Sequence, residues 1–133
     1  MGKLTLKSLE STLIPDGIYE MMIVEARVVT YQDGSLNIIA TLMKPDTGQI
    51  ATAFIPYGQG VDESGNVVEL AQPWKRAKRD RFAQATGADF SSIEFDEANR
   101  NRIYTLEGKS VYAVVTSREK NGVPENIVTG FDV

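Results

Sequence analysis

The sequence predicts a mainly β fold: a five-stranded OB-fold-like antiparallel barrel with one helix between its third and fourth strands. Strand-like runs are separated by short turn signals at Asp33-Gly34, Pro45-Asp46-Thr47-Gly48 and Asn121-Gly122. Residues 73–86 are strong helix formers and stand after the third such run. The resulting order, β-β-β-α-β-β, is that of a Greek-key barrel of the OB type, whereas periodicity alone gives only a small antiparallel barrel or a sheet with a helix.

Each element has a local reason. Residues 1–15 form a lead-in that ends at the turn Pro15-Asp16-Gly17. Residues 18–31 are rich in Ile, Val, Met and Tyr and read as the first strand. Asp33-Gly34 then predicts a type I′ turn, in which both central residues take positive φ. Residues 36–43 alternate, with Leu36, Ile38, Ala40 and Leu42 on one face and Asn37, Ile39, Thr41 and Met43 on the other. Gly48 suits the positive φ of the next turn, which pairs Lys44 with Gln49 and Met43 with Ile50 and leads into a third strand over 49–57. A loop rich in Gly, Asp and Glu runs from Gly58 to about Glu69. Pro73 opens the helix, where its missing N–H costs nothing, and Gly87 caps its end. Trp74, Lys78, Phe82 and Ala85 fall near one helical stripe. Residues 88–107 are ambiguous, with room for a short helix over 92–102. Residues 110–117 and 127–133 are the fourth and fifth strands, joined through a type I′ turn at Asn121-Gly122.

At 133 residues the chain is one domain, 1–133. By area scaling such a chain buries about two-thirds of its unfolded surface, enough for a core without staples. It has no histidine and no cysteine. Disulfides, Cys- or His-ligated zinc, thiol catalysis and every Ser-His or Cys-His pair are therefore excluded. A non-enzymatic protein without a cofactor is the expectation. No apolar signal core opens the chain, Leu6 breaks the myristoylation pattern, and no apolar run reaches membrane-span length. A soluble, cytoplasmic protein without a membrane partner is expected.

Candidate motifs for chemistry mostly fail on spacing. Gly108-Lys109-Ser110 resembles the end of a phosphate-binding loop, but Ile103 stands where the first glycine belongs. Asp62-Glu63-Ser64-Gly65-Asn66 resembles a calcium loop, but Val67 replaces the required glycine. Asp96 and Glu97 are adjacent and would point apart.

The formal charge of −4 gives no long-range attraction for nucleic acid, so any such binding needs a local cluster. Lys75, Arg76, Lys78, Arg79 and Arg81 supply one, five of the fourteen basic residues within seven positions. Phosphates attract such a helix, and Trp74 beside it could stack a base. The same charges could instead pair with the acidic flanking loops, with Trp74 anchoring the helix in the core. A second feature is the face shared by Ile39, Thr41, Met43, Ile50, Thr52 and Phe54, opposite the core stripe. It is a stacking platform with Phe54 under a base and Lys44 near the backbone, or it is covered by the helix or by another subunit. A third is the set of hairpin tips: Tyr31 at the first, and Arg118, Lys120 and Asn121 at the last. These two loops flank the ligand groove of OB-folds.

Several segments together resemble a family. They are Pro15-Asp16-Gly17-Ile18-Tyr19-Glu20, Glu25-Ala26, Asp33-Gly34, Leu106-Glu107-Gly108-Lys109 before the fourth strand, and the closing Pro124-Glu125-Asn126-Ile127-Val128-Thr129-Gly130-Phe131. They are similar to bacteriophage single-stranded-DNA-binding proteins of the small OB-fold type, many of which were long known only as a phage domain of unknown function. The resemblance implies a replication or recombination accessory that coats single strands with little sequence preference, in the cytoplasm of an infected bacterial cell, beside replication or recombination proteins. The bacterial type recruits partners through an acidic tail. Here only Glu125 and Asp132 are acidic among the last ten residues, which departs from that pattern.

The expected contacts to single-stranded DNA are therefore Phe54 and Trp74 by stacking, Lys44, Lys75, Arg76, Arg79, Arg118 and Lys120 by charge, and Tyr31 at the groove's border. The alternative is a phage structural or assembly protein, a homo-oligomer that uses the apolar sheet face as its subunit interface.

Overall fold

The computed structural model describes residues 13–91 and 93–133. Most of the lead-in, and the first residue of the short helix expected over 92–102, lie outside the described residues.

Five long strands form the barrel: β1 (Gly17–Thr30), β2 (Leu36–Met43), β3 (Ile50–Gly58), β6 (Ser110–Lys120) and β7 (Val123–Asp132). A two-stranded ribbon, β4 (Gly60–Val61) and β5 (Val67–Val68), and the helix α1 (Pro73–Thr86) lie between β3 and β6. The barrel order is β1-β2-β3-β7-β6, and β1 closes it by pairing antiparallel with β6. This is the OB-fold-like architecture that the sequence predicts. Its seam is the parallel contact between β3 and β7, which holds over only two residue pairs, Thr52 with Ile127 and Ala53 with Val128.

The core follows from the alternation. Leu36, Ile38, Ala40 and Leu42 point inward and are buried, and Ala51, Ala53 and Ile55 face them from β3. Met43 pairs with Ile50 and Lys44 bonds Gln49, the register set by the turn at Pro45-Asp46-Thr47-Gly48. Helix α1 plugs the barrel with Phe82, fully buried, whose ring centre lies 5.0 Å from that of Phe131 and 5.8 Å from that of Phe90. It begins at Pro73 and ends at Gly87, whose N–H donates to the Ala83 carbonyl. Asn126 stitches the front of the chain to its last strand: the Ile14 N–H donates to Asn126 Oδ1 at 2.8 Å, and Asn126 Nδ2 donates back to the Ile14 carbonyl at 2.9 Å. Both residues are buried, so this one side chain satisfies two backbone groups that water cannot reach.

Three local expectations are corrected and one is narrowed. The turn at Asp33-Gly34 is not type I′, because Gly34 has φ 88° but Asp33 does not enter the left-handed region. Tyr31 and Ser35 close a three-residue connection there, and the Asp33 carboxylate accepts from the Ser35 N–H and hydroxyl. The turn at Asn121-Gly122 is type I′ as expected, with φ of 54° and 77°. The short helix expected within 92–102 is a single 3-10 turn, Glu97–Asn99, and a second such turn stands at Tyr104–Leu106. The backbone around them adds itself to β1, since the Ile103 N–H donates to Ala26 and the Val28 N–H to Asn101, an alternative set of partners for groups that a helix would have satisfied internally. The fourth and fifth strands extend beyond 117 and begin before 127, because the tight turn lets pairing run up to Lys120 and Val123. The Gly-rich loop also holds the β4–β5 ribbon, where Val67 packs so closely over Gly58 that a Cβ there would collide with it.

Candidate nucleic-acid interface

The outer face of the first three strands is built in rows. Met22, Met43 and Ile50 form one, Glu25, Thr41 and Thr52 the next, and Arg27, Ile39 and Phe54 the third. Most are half-buried by their neighbours, while Ile50 is 58% exposed. Arg27 is tied down by Glu25 and donates to the Asn99 and Arg100 carbonyls, so this part of the face is held by the connector before β6.

Beside Phe54 the surface opens into a cleft of about 460 Å³ lined by Tyr31, Phe54, Lys78, Arg118, Ile127, Val128 and Thr129. It draws on the β1–β2 turn, β3, α1, β6 and β7. The Arg118 guanidinium lies over the Phe54 ring, 5.2 Å from its centre, and its Nε donates to Glu125 at 2.8 Å. Arg118 and Glu125 stand directly opposite each other on β6 and β7. Reaching Phe54 on β3, the arginine crosses the short seam of the barrel. Burial lowers the Lys78 ammonium below its ordinary value. Burial, and then the nearby Asp33 carboxylate, raise the Tyr31 phenol above its own.

Of the residues expected from sequence, the cleft therefore gathers Tyr31, Phe54 and Arg118. Lys44 is elsewhere. It continues the inward parity of Leu42, pairs with Asp46 at 3.1 Å and lies 5.3 Å from the centre of the Tyr19 ring, away from Phe54. Trp74 is 61% exposed, so it neither anchors the helix in the core nor covers the platform; Lys75 lies 5.6 Å from its ring centre. Arg76 donates to the Leu70 and Ala71 carbonyls at 2.8 and 3.0 Å and braces the segment before the helix. Arg79 forks onto both oxygens of Glu69, touches Asp80 and reaches the Tyr57 carbonyl. Those arginine hydrogen bonds lower the Glu69 carboxyl below its ordinary value. Arg81 donates to the Phe131 carbonyl at 3.0 Å. Lys120 is exposed at the last hairpin.

Lys78, Ile127 and Thr129 are cleft residues that sequence reasoning did not single out as contacts. The signal for Lys78 was present, since it shares a helical stripe with Phe82, and whatever flanks the residue plugging the barrel must border the strands. A larger cleft, of about 730 Å³, opens where β3 and β7 diverge and is lined by Leu13, Thr47, Gly48, Gln49, Ile50, Thr52, Pro124, Glu125 and Asn126. It has one acidic side chain and no basic one, so it lacks the positive charge that favours a phosphate backbone.

Among the described residues, no cluster of three or more acidic side chains could hold a metal ion, and no helix is long and apolar enough to cross a membrane. The Asp62 carboxylate, placed as if for calcium, accepts instead from the N–H groups of Ser64 and Asn66. Compared with protein-family models and with curated proteins, the chain matches none.

Proposed function

We propose that this chain is a non-enzymatic single-stranded DNA-binding protein that takes its ligand in the cleft around Phe54. The observation that carries the reading is the convergence of an exposed aromatic tip, a sheet aromatic and two cations, Tyr31, Phe54, Lys78 and Arg118, from four elements of an OB-fold-like barrel. Stacking surfaces are indifferent to base identity, and positive charge beside them favours the phosphate backbone, so the ligand is a single strand of any sequence. A role in phage DNA replication or recombination is the biological setting that the family resemblance supports. The test is a fluorescence anisotropy titration of labelled oligo-dT of about thirty nucleotides at low and moderate salt, against a duplex of equal length. Tight, salt-sensitive binding to the single strand alone is expected; equal or absent binding overturns the reading.

A second reading, a phage assembly protein, is favoured by one observation. Ile50 is 58% exposed in a row with Met22 and Met43, an apolar edge that a second copy could cover. Light scattering after size exclusion separates the two, since large concentration-dependent assemblies without DNA favour this one.

A further inference from the structure

We infer that Glu125 is a positioning residue for DNA binding: by holding Arg118 over Phe54, it makes a guanidinium plane, rather than the phenyl ring, the surface on which a base stacks. The inference rests on the reading of the cleft as a single-strand site and specifies which face of it the base meets.

The geometry leaves little choice. Phe54 is half-buried in its row beside Ile39, and the Arg118 guanidinium lies over the ring at 5.2 Å from its centre. A base approaching Phe54 meets that guanidinium first. Guanidinium planes stack bases as aromatic rings do, and a guanidinium already held beside an aromatic ring loses less freedom when the base arrives. Glu125 fixes the arrangement from the paired position on β7, with 2.8 Å between Arg118 Nε and Glu125 Oε1. The carboxylate also cancels the arginine's charge locally, so Arg118 acts on the base rather than on a phosphate. The counterion release in binding then comes from Lys78 and the outlying lysines, not from Arg118.

This division has a measurable signature, because each phosphate neutralised on a single strand adds about 0.7 to the magnitude of the salt slope. Wild type, Arg118→Gln, Arg118→Lys and Glu125→Gln are titrated with the labelled oligo-dT at several salt concentrations, with thermal melting to establish that each variant is folded. In Arg118→Gln, affinity falls about five-fold or more, as for a lost stacking partner, while the slope stays that of wild type. Arg118→Lys, which keeps the charge and loses the plane, weakens binding comparably. Glu125→Gln frees the arginine for a phosphate and steepens the slope by about 0.7. A slope that flattens by about 0.7 in Arg118→Gln, or an Arg118→Lys variant that binds as wild type does, overturns the inference while leaving the single-strand reading in place. Wild-type protein that fails to bind at low salt overturns both.

Discussion

The helix and the sheet face carry cations of two different kinds. Along α1 the basic residues are dense in sequence, yet Arg76, Arg79 and Arg81 are spent on backbone carbonyls and on Glu69. Around Phe54 they are sparse in sequence, one from the helix and one from β6, yet they share an open cleft with two aromatic rings. Charge density along a chain thus measures how much positive charge is made, not how much is left for a ligand. Arginine, with several donors in a rigid fork, is the residue that bracing consumes. The lysines of the same helix, Lys75 and Lys78, lie instead beside Trp74 and in the cleft.

The severest way to break this contrast is to remove the plug that joins the two regions. Phe82→Ala empties a fully buried site between Phe90 and Phe131 and should cost about 3–5 kcal/mol in urea unfolding. Because the helix delivers Lys78 to the cleft, oligo-dT affinity should fall with it. Phe54→Ala acts on the other region. Its ring lies on the outer face, so the melting temperature should move little while affinity for the oligonucleotide drops about five-fold or more, read by anisotropy. Arg79→Ala sharpens the comparison in the opposite sense. It should cost about 1 kcal/mol of stability, from a fork to a largely exposed carboxylate and a carbonyl contact, with no change in affinity. Weakened DNA binding in a folded Arg79→Ala protein would return the helix to the site.

The smallest effect is in acid. Glu69 is held below its ordinary value of 4.5 first by the Arg79 hydrogen bond, and Glu107 below the same value first by that of Arg102. A carboxylate whose folded value is depressed stabilises the fold above its unfolded value and loses that contribution as pH falls through the folded one. The melting temperature should therefore fall as pH drops below 4.5, and Arg79→Ala should show a shallower fall, having lost the Glu69 share. The prediction fails if the two proteins have parallel pH profiles.

What could be read from the sequence was what neighbours decide. The alternation of Leu36, Ile38, Ala40 and Leu42 defines the inner face of β2, and the turn after Lys44 sets its register with β3. Asn121 and Gly122 form a type I′ turn because both tolerate positive φ in one tight connection. Asp33-Gly34 carries the same signal but sits in a three-residue connection, since the span was fixed by where Tyr31 and Ser35 meet across the strands. The candidate site was legible only in part, for the same reason. Phe54, Tyr31 and Arg118 each had a strand or a tip to mark them. That Arg79 faces Glu69, ten positions away, while Lys78 faces Phe54 depends on how the helix is turned against the barrel, and no local pattern records that. The β4–β5 ribbon escaped notice because strands of two residues have no alternation to show.

The stitch between Ile14 and Asn126 has a kinetic meaning as well. It spans 112 positions, and the barrel's other closures, β1 with β6 and β3 with β7, also join residues far apart in sequence. Each demands that a long, still-disordered loop be gathered before any contact rewards it, a cost in chain entropy that falls on the folding barrier. The β1–β2–β3 meander can assemble early from adjacent residues, but its inner face stays wet until β7 arrives at the seam. A stopped-flow refolding trace should accordingly run on the scale of milliseconds to seconds rather than microseconds.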